Sequence, residues 1–245
     1  MIFELAAFGV ITGFISGFFG VGGGMILVPM LLIAGFVMKE AVAISIMQMV
    51  FSSIYGTFLN AKKTKNIIKD GLIIGLGGFF GGLQSGFIVS NVSNQNLQYL
   101  FICILLYSIF SIFKSPAEAE EDEKKSSSKI ALFFVGAVIG ITAMSIGVGG
   151  SIMLTPLLVR FLNYDLKQAT ALGLFFVIFS SIAGFTSLSL NGHMLYTEGA
   201  TIGLASLIGV YFGIKVKHNI QSTSYKKYIL ILYIIILFSM LYKTL

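Results

Sequence analysis

The sequence predicts an all-α polytopic membrane protein made of two inverted-topology repeats. Each repeat is a glycine-broken helical hairpin, re-entrant or double-crossing, followed by three transmembrane helices. Three observations predict this. Of 245 residues, 56% are hydrophobic and 11% charged, and several apolar runs reach the roughly 20 residues that a straight helix needs to span a bilayer. The second half repeats the first at a nearly constant spacing. The lysines fall in non-equivalent loops of the two halves. The apolar runs are continuous rather than alternating, which argues against a β-barrel.

The first apolar element covers residues 2–38 and contains Gly20-Val21-Gly22-Gly23-Gly24, closed by Pro29. Glycine tolerates positive φ and exposes its backbone. Proline removes a donor and ends or kinks a helix. Such a run does not favour a straight membrane helix, and irregular backbone at membrane depth persists only where it is buried in protein or lines a cavity. The next element reaches Asn60 and is followed by a basic loop with Lys62, Lys63, Lys65 and Lys69. Residues 71–89 form a glycine-rich helix. A polar turn, 90–96, leads into a helix ending at Lys114. Residues 115–129 form a charged, serine-bearing linker that contains no apolar residue larger than alanine, which predicts a solvated segment. The organisation expected is therefore a first membrane repeat, 1–114, a cytoplasmic linker, 115–129, and a second membrane repeat, 130–245.

The repeat is visible residue by residue. Gly9, Gly13, Gly20, Gly22, Gly23 and Pro29 recur 127 positions later as Gly136, Gly140, Gly147, Gly149, Gly150 and Pro156. Beyond them a spacing of 128 carries Phe51, Ser52, Ser53 and Gly56 onto Phe179, Ser180, Ser181 and Gly184, and Gly71, Gly75 and Gly81 onto Gly199, Gly203 and Gly209. Scattered matches between apolar runs would not hold one spacing across three elements. In the first half the basic loop follows the second element. In the second half it follows the third, with Lys215, Lys217, Lys226 and Lys227. The positive-inside rule then puts equivalent loops on opposite sides, with the linker inside and both termini outside. The element before Arg160 must start and end on the same side. It is expected to be two half-length helices meeting near the midplane, with the first break entered from the other side.

A hairpin folded at these glycines begins its second arm with free backbone N–H groups, those of Gly22, Gly23, Gly24 and Met25 in one repeat and of Gly149, Gly150, Ser151 and Ile152 in the other. The helix dipole adds about half a positive charge there, and glycine allows an anion to approach the amides closely. Thr155, Ser52, Ser180 and Gln48 are candidates to complete the shell, as are Thr12, Ser16, Thr142 and Ser145, with Ser45, Ser53 and Ser181 facing the same question. Gly20, Pro29, Gly147 and Pro156 shape the breaks. The other reading is packing. Glycines four apart, such as Gly9, Gly13 and Gly17, bring helices together, and hydroxyls in membrane helices commonly bond their own backbone. All sixteen basic residues lie near element ends or in loops, so no cationic side chain is expected within the membrane. Cys103 is expected to pack in the core or face lipid, and His193 and His218 lie in loops. No set of His, Cys and carboxylate has metal-ligand spacing and no Walker A motif occurs, so neither a metal nor another cofactor is expected, nor is an enzyme. The lysines do not line one helix face, and nucleic acid is not an expected partner.

Two copies of G-x-G-G-[GS] with a following proline, in an apolar chain of this length with a central linker, resemble the sulfite exporter TauE/SafE family. The resemblance runs from Gly9 to about Lys243. It implies a cell-membrane permease for sulfite or organosulfur anions such as sulfonates. Carried over by motif are Gly20, Gly22, Gly23, Gly24, Pro29, Gly147, Gly149, Gly150, Ser151 and Pro156. Ser151 stands where the first copy has Gly24, so one half-site carries a hydroxyl that the other lacks. The reading is a small-anion transporter working by alternating access around a midplane site. A channel-like anion pore and a non-transport scaffold or assembly factor stay open as alternatives. The partners expected are the anion and the lipid bilayer, with a homo-oligomer left open.

Overall fold

The computed structural model describes residues 2–60, 68–114, 128–162, 164, 166–217, 219–220 and 222–244. Most of the first basic loop, nearly all of the linker, and His218 lie outside the described residues. Among the described residues every regular element is a helix: α1 Ile2–Phe19, α2 Gly24–Ile33, α3 Met38–Asn60, α4 Ile68–Gly82, α5 Ser85–Asn91, α6 Asn94–Lys114, α7 Lys129–Ile146, α8 Ser151–Leu162, α9 Leu166–Leu190, α10 Tyr196–Lys217 and α11 Ser222–Thr244. Among the described residues eight spans are long and apolar enough to cross a membrane, with α4 and α5 together forming one of them. Large side chains such as Phe3, Phe58, Phe113 and Phe238 point outward, as residues facing hydrocarbon would. Cys103 is exposed on α6, which suits the lipid-facing reading.

The helices pair in two matched sets. α1 packs on α10, as α7 packs on α4. α3 packs on α10, as α9 packs on α4. α2 lies on α3, as α8 lies on α9, and α11 touches α2, as α6 touches α8. Exchanging each element for its counterpart in the other half leaves this pattern unchanged. Glycine makes the closest pairs possible. A Cβ at Gly9 would lie 2.5 Å from the Ile202 carbonyl oxygen, and one at Gly13 or Gly17 would strike the carbonyls of Ser206 or Val210. In the other half Gly136 and Gly140 meet the Ile74 and Gly78 carbonyls in the same way. For these spaced glycines the packing reading holds.

Two expectations about the hairpins need correction. The first arms are not half-length: α1 and α7 have 18 residues each, about 27 Å at 1.5 Å per residue. Only the second arms are short, with 10 residues in α2 and 12 in α8. No glycine run or proline interrupts residues 2–19, so α1 continues until Gly20 stops it. The prolines do not close the breaks either. Pro29 and Pro156 each occupy the sixth position of the second arm, where the missing N–H deprives the carbonyls of Met25 and Ile152 of their helical donor. The glycine-rich helix of residues 71–89 is also interrupted, at Leu83–Gln84, between α4 and α5.

Candidate functional site

The hairpins turn at their glycines with the same backbone. Gly20, Gly22 and Gly23 have φ of 68°, 81° and 80°, and Gly147, Gly149 and Gly150 have 71°, 82° and 75°. Left-handed conformations cost an L-residue about 1–2 kcal/mol each, so three per turn select glycine. The Val148 N–H donates to the Ala143 carbonyl, closing α7. The first bonds of α2 run from the N–H groups of Ile26 and Leu27 to the Gly23 carbonyl, and those of α8 from Met153 and Leu154 to the Gly150 carbonyl. The amides of Gly24 and Met25, and of Ser151 and Ile152, therefore lie ahead of the first intrahelical bond. No side chain caps the start of α2.

The two breaks meet. A Cβ on Gly24 would strike the Gly147 carbonyl oxygen, and one on Gly149 would lie 3.1 Å from the Val21 carbonyl oxygen. Met49 of α3 and Val177 of α9, 128 positions apart, wedge between them. Added Cβ atoms at Gly22 and Gly149 would lie 3.3 and 2.8 Å from the Met49 sulfur and 3.1 and 3.3 Å from Val177 methyl groups. The crossing of α3 and α9 thus carries both breaks at its centre. The residues beside Met49 and Val177 differ. A Cβ on Gly23 would lie 2.7 Å from both Nε2 and Oε1 of Gln48, whereas one on Gly150 would strike the Phe176 ring.

Gln48 is fully buried, and neither its Nε2 nor its Oε1 has a hydrogen-bond partner among the described residues. The hydroxyls of Ser16, Ser45, Ser151 and Thr155 are also buried without a partner. Buried polar atoms are nearly always satisfied, and each one left unpaired costs about 1–3 kcal/mol. Three of these residues lie on the hairpins themselves, and Ser45 and Gln48 lie on α3 against Gly147 and Gly23. Ser151 and Thr155 face Gly173 of α9, where an added Cβ would lie 2.7 Å from the Ser151 Cβ and 3.5 Å from Thr155 Oγ1.

The sequence-predicted shell is therefore brought together in part. Met25 and Ile152 are buried at the starts of the second arms. Ser52 Oγ donates to the Gly22 carbonyl at 3.3 Å and so touches a break. Ser180, its counterpart, bonds only carbonyls of its own helix, those of Phe176 and Val177. Thr12, Thr142 and Ser145 likewise turn back on α1 and α7. Phe176 was missed by the sequence reading, although the spacing of 128 maps it onto Gln48. His193 lies at the surface, its Nε2 2.9 Å from Ser90 Oγ. Elsewhere a cleft of about 890 Å³ opens beside the first turn of α1, lined by Glu4, Phe8, Gly35 and Glu40 among others. Its carboxylates oppose anion binding.

Lys217, at the end of α10, is only 3% exposed. Thr170 of α9 and Tyr225 of α11 pack against it.

With the paired glycine turns in view, comparison with known proteins is decisive. The family model described as sulfite exporter TauE/SafE matches residues 5–240. The chain belongs to this family. The protein called probable membrane transporter protein YunE, from Bacillus subtilis (strain 168), is 23% identical over 258 residues, covering 95% of this chain and 93% of its own length. Probable membrane transporter protein YdhB of the same organism is 22% identical, covering 84% of this chain and 86% of its own. Probable membrane transporter protein YfcA of Escherichia coli (strain K12) is 25% identical, covering 83% and 76%. The TauE/SafE chain described here is thus a multi-pass membrane transporter and not an enzyme.

Proposed function

We propose that the chain moves a small anion, a sulfur oxyanion or an organosulfur anion such as a sulfonate, across the cell membrane by alternating access around the paired glycine breaks. The observation that carries this reading is the buried, unpartnered amide of Gln48 set against Gly23, at the start of a helix whose first amides are uncapped. Nε2–H groups and backbone N–H groups donate, and an anion accepts. Helix dipole and donors together would supply a positive site without a cation. The sulfur chemistry rests on the family alone.

In this reading the two halves are inverted repeats, 1–114 and 130–245, joined by a cytoplasmic linker, with both termini outside. Two facts support it: the element pairings exchange between halves, and the lysines sit in non-equivalent loops. One repeat would rock against the other about the α3–α9 crossing. With the inside negative, export gains about 2.3 kcal/mol per charge per 100 mV.

The test is anion flux into proteoliposomes under an imposed potential, with labelled sulfite, sulfate, thiosulfate, a small sulfonate and a carboxylate. Saturable flux of a sulfur anion is expected. It should be lost in Gly23→Ala, where the new methyl displaces the Gln48 amide, from protein that remains folded. Non-saturating flux would instead identify a pore. No flux of any anion, with or without a sodium or proton gradient, would overturn the reading.

A further inference from the structure

The outward faces of α4 and α10 correspond position by position. Leu76 and Phe80 of α4 are exposed, as are Leu204 and Ile208 of α10, their counterparts 128 positions later. Residues four apart lie on one face of a helix, so the next position of this stripe is Gln84 in one half and Phe212 in the other. Both are exposed. A stripe on the outside of a membrane-spanning helix meets hydrocarbon, and Phe212 suits that surrounding. Gln84 does not.

Gln84 is not at the membrane edge. It lies within the span Gly71–Asn91, seven residues before the end, about 10 Å at 1.5 Å per residue. A glutamine side chain is too short to carry its amide back to the interface from there. Nor does the helix interruption beside it need the amide. Ser187 of α9 holds that interruption, its Oγ donating to the Leu83 carbonyl at 2.6 Å and accepting from the Gly86 N–H at 2.9 Å. The Gln84 side chain does not cap α5, and it has no hydrogen-bond partner among the described residues. Around it the outer surface is apolar. Phe80 and Phe87 are exposed on its own span, and Phe134 and Val138 on α7, which packs so closely on α4 that a Cβ on Gly81 would strike the Ala137 carbonyl oxygen. An amide left in hydrocarbon without a partner is costly. In membranes such side chains bond across helices instead.

We propose that Gln84 marks a dimer contact, in which a second copy of this chain docks on the face formed by α4, α5 and α7. Two copies inserted in the same orientation are related by a twofold axis along the membrane normal. Each residue near that axis then meets its own copy at its own depth. A carboxamide is complementary to itself: Nε2–H of each Gln84 donates to Oε1 of the other. Phe80, Phe87, Phe134 and Val138 supply the apolar contact around the pair. The second half offers no equivalent, because Phe212 carries neither donor nor acceptor. Pairing through the first half alone closes the assembly at two copies. Dimerisation does not depend on what the protein carries.

The test combines disulfide trapping in membranes with subunit counting in liposomes of increasing dilution. Cys103 is the one cysteine, so Phe80→Cys and its counterpart Ile208→Cys are each introduced into a Cys103→Ser chain and treated with a mild oxidant. Phe80→Cys should give a crosslinked dimer and Ile208→Cys should not. Adding Gln84→Leu to the Phe80→Cys chain should largely abolish the crosslink. In dilute liposomes the wild-type chain should count as two, and Gln84→Leu should raise the dissociation constant about tenfold, within the range known for hydrogen bonds between membrane helices. Gln84→Asn, which keeps the amide, should stay within about threefold. If Gln84→Leu does not fold, Gln84→Phe, which copies the other half, is judged by the same criteria. Equal crosslinking at the two cysteine positions would be random collision and would overturn the proposal. So would a wild-type chain that counts as one or as more than two, or a Gln84→Leu chain that associates as tightly as wild type.

Discussion

The two glycine breaks share one backbone and differ in their walls. Their paired φ angles agree within about 5°, yet Gln48 faces the first break where Phe176 faces the second, and Gly24 starts one second arm where Ser151 starts the other. The turn itself leaves little choice, because three residues at positive φ within four positions exclude most side chains. The walls are not so constrained. A side chain on α3 or α9 needs only to fill the space above a glycine. The comparison separates what holds the turns in shape from what gives the pocket its polarity. The first break is polar at Gln48. The second is aromatic there and carries its hydroxyls on α8 instead.

The strongest challenge to this comparison is to exchange the residues that start the second arms. Gly24→Ser places a Cβ on the Gly147 carbonyl oxygen, where backbone must move. Overpacking of that kind costs about 3 kcal/mol, and the melting temperature of the purified protein should fall by roughly 6–12 °C. Ser151→Gly removes a hydroxyl with no partner and should change stability by less than about 1 kcal/mol. Equal losses in the two variants would show that the breaks are sterically equivalent, with no asymmetry between them.

The second contrast separates function from stability. Gln48→Leu relieves a buried unpaired amide, so the empty protein should gain about 1–2 kcal/mol. The same change should lower flux at subsaturating anion roughly 10- to 100-fold, because a hydrogen bond to a charged group is worth about 1.5–3 kcal/mol. Phe176→Leu should do the reverse: it opens a void costing about 1–2 kcal/mol and leaves flux within about threefold. Thermal unfolding and proteoliposome uptake on the same preparations measure both. A Gln48→Leu protein that is less stable and still transports would remove Gln48 from the site.

How much of this was legible in the sequence depends on how local the cause is. The breaks were legible because consecutive glycines inside an apolar run have few other uses, and the six positive φ angles of the two breaks fall on their paired glycines. The close helix pairs were legible for the same reason, from Gly9, Gly13 and Gly17. The length of α1 and α7 was misjudged because symmetry about a midplane was preferred to the absence of a helix breaker before Gly20. The interruption at Leu83–Gln84 has no proline to mark it, and glycines surround it on both sides. The burial of Lys217 was not legible, because a lysine at a helix end ordinarily reaches water. Its burial depends on Thr170 and Tyr225, residues 47 and 8 positions away in sequence, on α9 and α11. Likewise Gln48 reaches Gly23 only after the hairpin folds back on α3. Pairings of this kind depend on tertiary contact, and no local pattern announces them.

The smallest contrast is the most specific. Ser52 and Ser180 are counterparts at a spacing of 128, and both are fully buried. Ser52 Oγ reaches across to the Gly22 carbonyl at 3.3 Å, so it ties α3 to the first break. Ser180 Oγ bonds the Phe176 carbonyl at 3.2 Å and so stays on its own helix. A hydroxyl that bonds back to its own turn adds little, since those carbonyls already accept helical bonds. Ser180→Ala should therefore shift stability by only a few tenths of a kcal/mol, whereas Ser52→Ala should cost about 1 kcal/mol. The difference is small for thermal unfolding but large for hydrogen exchange. Loss of the Ser52 tie should speed exchange of the amides of Gly22–Met25 by roughly fivefold, the rate equivalent of about 1 kcal/mol. Ser180→Ala should leave the amides of Gly149–Ile152 unchanged. Equal acceleration at both breaks would mean that Ser52 acts through general packing, and that the first break is held by its glycines alone.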